Sequence, residues 1–493
     1  MPKTLWSPAL VYSGGVFHRG RALLSDESGR ITEPTELHEA VISHSLAKRA
    51  LLPGLINAHS HAFQRVIRGR TEYRTGDNTD SFWTWREMMY RAAVRLEPED
   101  IYDASRMAFL EMALSGITTV GEFHYLHRAA DGGVYDDPNL LSKEVVRAAT
   151  DVGLRIALLR VAYARSGYET ESNPQQRRFV EADPDTYLKN VAQLIADLER
   201  MTGTDRRAWV GIAPHSVRAV PLNYLKEIIS FACARALPVH MHLAEQPAEV
   251  SACIQEYGRS PVALLASEGL LNEHFTGVHA IHVTPKAVRE LAGARAMVCA
   301  CPTTERNLGD GIVPVDAYFA AGVRVSLGSD SQAQIDLLED ARELEYHLRL
   351  QKMERAILDP GSSPTVREGS PGGRPATQEA EGALPDGQAS ALAARLFDCA
   401  TTNGTASLNA PGGSLQLGQP ADFFTIDLDD ASLAGASESD LLSSIVFSLA
   451  RTAVKDVVVG GKRIVADGRH AQQEEIVERF KALQKKLWGS VIG

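Results

Sequence analysis

"LINAHSHAFQR", residues 55–65, follows the apolar run "ALLPG" and ends it with two imidazoles, His59 and His61, two positions apart. Successive side chains of a β-strand alternate faces, so the pair shares one face, about two residue rises apart. Two ring nitrogens placed that way suit two ligands of one metal ion. The plainer reading is a pair of polar residues in a loop leaving the strand, since H-x-H is too short a motif to decide alone. The decision rests on where the other metal-ligating side chains fall.

From residue 51 to about 350, β-rich runs alternate with helical spacing. The strands read as "LLPGLINAHSH", "ITTVGEFHY", "LRIALLRVAYA", "AWVGIAPHS", "LPVHMHLAEQ", "FTGVHAIHV", "ARAMVCACPTT" and "VRVSLGSDS". Segments such as "DIYDASRMAFLEMALSG" and "PLNYLKEIISFACARA" lie between them with helical periodicity. Eight β/α units in one run predict an α/β fold, a (β/α)8 TIM-type barrel, whose chemistry gathers at the C-terminal ends of the strands. The polar residues obey that geometry. His59 and His61 close the first strand, His124 and Tyr125 the second, His215 the fourth, and His240, His242 and Glu245 the fifth. His279 lies late in the sixth, and Asp330 ends the eighth. A random scatter of 15 histidines would not collect so often at strand ends, which makes H-x-H part of a site.

The chain of 493 residues, 44% hydrophobic and 23% charged, is long enough for such a barrel and a smaller domain. Its net charge of -11 argues against non-specific binding to nucleic acid or a membrane surface, leaving small molecules as the expected partners. The start, "MPKTLWSPALVYSGGVFHRG", has no apolar stretch followed by a small-residue cleavage site, so a cytoplasmic protein is expected. The five cysteines, Cys233, Cys253, Cys299, Cys301 and Cys399, lack zinc-ribbon spacing and read as buried free thiols. Short β-like runs near both chain ends, among them "LWSPALVYSGGVF" and "TAVKDVVVGGKRIVADGRH", predict one small β-domain built from the two ends. Residues 359–390, rich in Pro, Gly, Ser and Glu without apolar periodicity, read as a flexible surface insertion.

Three imidazoles and a carboxylate make a plausible zinc or iron site. His59 and His61 supply two ligands and Asp330 the carboxylate, while parity leaves both His240 and His242 open as the third imidazole. Strand four carries no lysine that could be carboxylated to bridge two ions, so one metal is expected. Such an ion lowers the pKa of bound water from about 15.7 to about 7. Glu245 and His279 are placed to serve as the acid/base pair, with Asp330 able to accept a proton while ligating. The spacing of His282 from His279 turns it to the opposite face.

The order "PGLINAHSH", "HMHLAE", "VHAIH", "LGSDS", then "ATTNGTASLN" and "GSLQLGQPADFFTID", resembles the amidohydrolase superfamily over nearly the whole chain. "NAHSHAFQR", "DSFWTWREMMYR", "EFHYLH", "APHSVRAV", "HLAEQPAEV" and "ERNLGDGI" are similar, more narrowly, to the N-formimino-L-glutamate iminohydrolases, or formiminoglutamate deiminases. The resemblance implies a β-sandwich from residues 1–50 and 413–493, with a C-terminal helix, beside a metal-dependent barrel of residues 51–412. It implies one zinc, with iron as the substitute, held by His59, His61, His242 and Asp330, and Glu245 and His279 as acid and base. It also implies substrate contacts at Gln64, Arg86, Tyr125, His215 and Arg218, a cytoplasmic homodimer, and hydrolysis of N-formimino-L-glutamate to N-formyl-L-glutamate and ammonia in histidine degradation. Guanidinium groups bind carboxylates in bidentate fashion, so Arg86 and Arg218 suit a dicarboxylate substrate. Two features depart from the pattern: Gln332 stands where a histidine is expected, and the insertion has no counterpart. The competing readings are a deaminase of a purine or pyrimidine such as guanine, which needs stacking faces more than two arginines, and a non-catalytic scaffold, which the full ligand set opposes.

Overall fold

The computed structural model describes residues 2–33, 42–73, 82–202, 206–361 and 390–489. Residues 362–389, most of the expected insertion, lie outside them. The eight barrel strands are Leu55–Ser60 (β1), Ile117–His124 (β2), Arg155–Ala162 (β3), Ala208–Pro214 (β4), Val239–Leu243 (β5), Phe275–His279 (β6), Met297–Ala300 (β7) and Val325–Leu327 (β8). They pair in sequential order, and a parallel bridge between Ser60 and Asp330 joins the last to the first. Every residue of these strands is buried, as expected where one face fills the barrel and the other meets a helix. The helices cover that outer face with an apolar stripe. In Leu140–Val152, for example, Leu141, Val145, Val146, Ala148, Ala149 and Val152 are buried, and Gly153 ends the helix with φ 98°.

The junction of β1 and β8 is drawn unusually tight. Asp330 N donates to His59 O at 3.0 Å, and His61 N donates to Asp330 O at 2.9 Å. The Asn57 side chain bonds Ser329 twice, donating from Nδ2 to Ser329 Oγ at 2.7 Å and accepting from Ser329 N at 3.0 Å. A Cβ at Gly328 would lie 2.7 Å from His59 Cβ, so only glycine lets the strands close here. The opposite mouth is plugged by the helix Thr402–Leu408: Asn403 Nδ2 donates to Val325 O, Trp209 Nε1 to Leu408 O, and His240 Nε2 meets Ser407 O at 2.9 Å.

The two chain ends form one nine-stranded mixed sheet. Its long strand Ile42–Pro53 pairs in parallel with Thr4–Ser13 and antiparallel with Phe423–Asp427, which is how residues nearly 400 apart in sequence become neighbours. Trp6, Leu51, Phe423 and Val458 belong to a core of its own. The sheet is fastened to the barrel by a buried ion pair, Arg155 Nε to Asp422 Oδ2 at 2.7 Å. The C-terminal helix Gln473–Trp488 returns across Pro98–Leu114 through Arg106–Glu475 and Arg479–Asp103 pairs. Among the described residues no helix is long and apolar enough to cross a membrane.

Behind β3, Arg160 and Glu181 form a second buried pair, at 2.5 and 3.1 Å, which Asn190 and Asn139 complete with further hydrogen bonds. Burial alone would raise the Glu181 carboxyl, but Arg160 outweighs it and takes the value from 4.5 down to about 2. Because the folded value is depressed, its stabilisation is present above the unfolded value and is lost as pH falls from there toward about 2. Glu181→Gln, which strands the Arg160 charge, is expected to cost about 3–5 kcal/mol at neutral pH. Denaturant unfolding of both proteins should show that gap, and show it narrowing in acid; equal midpoints at neutral pH would refute it.

Candidate metal centre

The strand ends break sharply where the polar residues stand. Ala244, His279, Asp330 and Gln332 all have positive φ, at 50°, 68°, 44° and 63°. Non-glycine residues held there cluster at functional sites, where surrounding contacts offset the strain. One such contact set is visible at Gln332, whose Nε2 donates to Ser60 Oγ at 2.8 Å and to Asp330 O at 2.9 Å while Oε1 accepts from Ser329 Oγ at 3.0 Å. The departure from the family pattern therefore braces the turn that carries Asp330.

His59, His61, His242 and Asp330 come together, each buried, with one ligand atom apiece all within 4.8 Å of one another. His59 Nε2 lies 3.2 Å from both His61 Nε2 and His242 Nε2, and Asp330 Oδ1 lies 3.5 Å from His59 Nε2 and 3.2 Å from His61 Nε2. The tautomers follow from the other ring nitrogens. His61 Nδ1 faces the Phe123 carbonyl at 2.9 Å and His242 Nδ1 faces the His215 carbonyl at 3.2 Å. A carbonyl only accepts, so these Nδ1 atoms carry the proton and both Nε2 atoms present lone pairs. Lone pairs aimed at one another beside a carboxylate lack a mutual donor, and a cation resolves that. The donor set fits a single divalent metal with room for water.

Burial pushes His59 down to about 3 and His242 well below the usual imidazole value, which keeps them neutral. Burial would raise Asp330, but the His59 and His61 rings against its carboxylate, with the charge of His279, outweigh it and hold the carboxyl well below its usual range. His279 stacks on His242 at 5.6 Å between ring centroids. Its Nε2 is 3.8 Å from Glu245 Oε1 and 3.7 Å from Asp330 Oδ2. Burial opposes its protonation, yet the charges of Glu245 and Glu305 prevail and raise it well above the usual value. Glu245 is itself raised by burial, against the pull of His279. The pair is thus set for proton exchange beside the ligands.

The same cavity, with about 760 Å³ of empty space, is lined by Gln64, Arg86, Tyr125, His215 and Arg218, together with His61, His242, Glu245, His279 and Asp330. All five residues expected to meet substrate are therefore brought to one place. Gln64 Nε2 donates to Tyr125 Oη at 2.8 Å, and its Oε1 is buried with no partner among the described residues. Arg86, on the helix Phe82–Ala93, stacks its guanidinium 4.3 Å from the Trp83 ring, and its Nε is also buried and unpartnered there. Arg218 Nη1 donates to Ser166 O at 2.7 Å. Burial keeps His215 well below the usual imidazole value. His240 points instead toward Ser407, His282 Nε2 bonds Asp310 O at 2.9 Å, and His124 is buried with no partner for Nε2 among the described residues. Sequence reasoning did not single out Glu305, whose Oε1 accepts from His279 Nδ1 at 3.1 Å and from Cys301 N at 2.8 Å. It also passed over Glu249, raised by burial to about 7, whose Oε2 accepts from Glu245 N at 3.2 Å. Both lie inside the quoted motifs "ERNLGDGI" and "HLAEQPAEV", the one signal that could have drawn attention to them.

A barrel with three imidazole nitrogens and a carboxylate converging at its C-terminal mouth defines a metal-dependent hydrolase. Residues 50–464 match the amidohydrolase family, and the chain belongs to it. A formimidoylglutamate deiminase of Pseudomonas aeruginosa is 37% identical over 432 residues, 87% of this chain and 88% of the relative. A 5-methylthioadenosine/S-adenosylhomocysteine deaminase of Halobacterium salinarum is 26% identical, covering 96% of each chain. Among solved structures, an amidohydrolase from Brucella melitensis superposes with a TM-score of 0.82 at 30% identity, over 99% of this chain and 100% of that one.

His242→Ala is expected to purify with far less than one equivalent of metal, while His240→Ala keeps its metal and loses about 1–3 kcal/mol of stability through the stranded Ser407 carbonyl. Metal analysis alongside thermal melting separates the two; full metal occupancy in His242→Ala would remove it from the ligand set.

Proposed function

We propose that the protein hydrolyses N-formimino-L-glutamate to N-formyl-L-glutamate and ammonia, with zinc as the resident metal, and that it serves histidine degradation in the cytoplasm. The observation that carries this reading is the presence of Arg86 and Arg218 in the cavity that also holds the four ligands and Glu245. Two guanidinium groups match the two carboxylates of the substrate, whereas a neutral nucleobase uses neither. The 37% identical relative named formimidoylglutamate deiminase supports the same choice. Zinc is favoured by three imidazole nitrogens with one carboxylate.

The bound metal supplies Lewis acidity and an acidified water. The chain's own residues do the rest. Arg86 and Arg218 bind the carboxylates and fix the formimino carbon over the ligand cluster, and Gln64, with its free Oε1, accepts from a substrate N–H. Glu245 delivers a proton to the imino nitrogen, and Asp330 takes the proton released by the attacking water, with the charged His279 beside it able to pass a proton on toward the departing nitrogen. Water adds to the carbon to give a tetrahedral centre; a second proton then reaches its nitrogen from the Asp330–His279 pair, the C–N bond breaks with loss of ammonia, and the hydroxyl proton passes back to Glu245 as the C=O bond forms. Glu305 receives the Nδ1 proton of His279 in a hydrogen bond, which keeps Nε2 facing Glu245 and Asp330.

Ammonia release by the zinc-loaded protein from N-formimino-L-glutamate, with guanine as comparison, tests the reading; release from guanine alone would overturn it. Glu245→Gln should retain zinc and lose at least about 10²-fold in kcat. Glu305→Gln should also keep zinc and lower kcat more than it changes KM; unaltered kcat in both variants would dismiss this proton path.

A further inference from the structure

Behind the cavity wall lies a buried glutamine that the proposed reaction does not use. Gln176, 2% exposed, ends the short turn Pro174–Gln176. Its Nε2 donates to Tyr90 Oη at 2.6 Å, and its Oε1 accepts from Ser166 Oγ at 2.6 Å. Each partner leads to one of the two arginines. Tyr90 stands one helical turn after Arg86, with the Arg86 guanidinium 5.6 Å from the centre of its ring. Ser166 holds Arg218 through its carbonyl, at 2.7 Å from Nη1. The bridge is itself anchored, because Ser166 Oγ accepts from Asn173 N at 2.9 Å and Asn173 Oδ1 accepts from Gln175 N at 2.9 Å. A single side-chain amide therefore ties the helix that carries Arg86 to the segment that holds Arg218.

We propose that Gln176 is a positioning residue for substrate specificity: the Tyr90–Gln176–Ser166 bridge fixes the separation of Arg86 and Arg218 and thereby selects the length of the dicarboxylate that spans them. This rests on the reading that both arginines engage one substrate. Arginine–carboxylate contacts are short and directional, so a diacid one methylene shorter reaches both guanidinium groups only if one of them moves. An amide suits the task because its donor and its acceptor sit on one rigid plane, and both are satisfied here. Being uncharged, it braces the arginines without competing for them as a glutamate would. With the bridge cut, the helix Phe82–Ala93 is released from the Ser166 segment, and the arginines can adjust to either length.

The test compares wild type, Gln176→Leu and Ser166→Ala, all zinc-loaded. It measures kcat/KM for N-formimino-L-glutamate and N-formimino-L-aspartate, and calorimetric affinity for glutarate and succinate. One methylene is discriminated by about 10- to 200-fold in a well-formed pocket. The wild type should favour the longer member of each pair within that range. Both variants should lose about tenfold of this preference, through a higher KM for the glutamate compound, with kcat and zinc content near wild type. If Gln176→Leu fails to fold, Ser166→Ala decides, since it removes the bridging hydroxyl and keeps the carbonyl that holds Arg218. Folded variants that keep the wild-type ratio, or that lose kcat without changing it, overturn the inference and leave the two-arginine reading standing. A wild type with no length preference overturns both.

Discussion

The closure of β1 against β8 is the constraint on which the site depends. Two backbone hydrogen bonds, the paired bonds of Asn57 with Ser329, and the missing side chain at Gly328 bring His59 and Asp330 into contact across the last seam of the barrel. Without that approach the carboxylate and the histidine pair would belong to separate strands with no common centre. Gln332 then reaches back to Ser60, so both sides of the seam share one turn. The left-handed conformation of Asp330 is sustained by these contacts, and its carboxylate is aimed inward as a result.

A second constraint is electrostatic. Glu245, Glu305, Asp310 and Asp330 gather around His279, with Glu249 beside Glu245, and burial raises Glu249 to about 7 and Asp310 to about 9. So many carboxyls in one low-dielectric region cannot all ionise without compensating positive charge. His279 supplies part of it, and the cationic centre implied by the convergent lone pairs supplies more. Arg86 and Arg218 line the same cavity, and the charge of Arg218 reaches both Glu245 and Glu249, which adds to the compensation.

The barrel was legible because its signals are local. β-rich runs alternating with helical spacing, and polar residues at strand ends, need only a short window of chain, and they located His59, His61, His279 and Asp330 at the mouth. The choice between His240 and His242 was not local, since both share a face. It turns on Ser407, 167 residues away from His240, which occupies one of the two. Glu305 and Gln176 escaped for the same reason, because their partners are set by loop geometry rather than spacing. Gln332 was visible as a departure, but its meaning depended on Ser60 across the seam. Arg86 stood out through the motif "DSFWTWREMMYR", while the direction of its guanidinium required Trp83 and Tyr90 to be seen beside it.

The most direct measurement is a crystal structure of the zinc-loaded Glu245→Gln protein soaked with N-formimino-L-glutamate. The account predicts one zinc on His59, His61, His242 and Asp330, the two carboxylates on Arg86 and Arg218, and the formimino carbon between the zinc and residue 245. Zinc held by other residues, or a ligand whose carboxylates leave both arginines untouched, would contradict it.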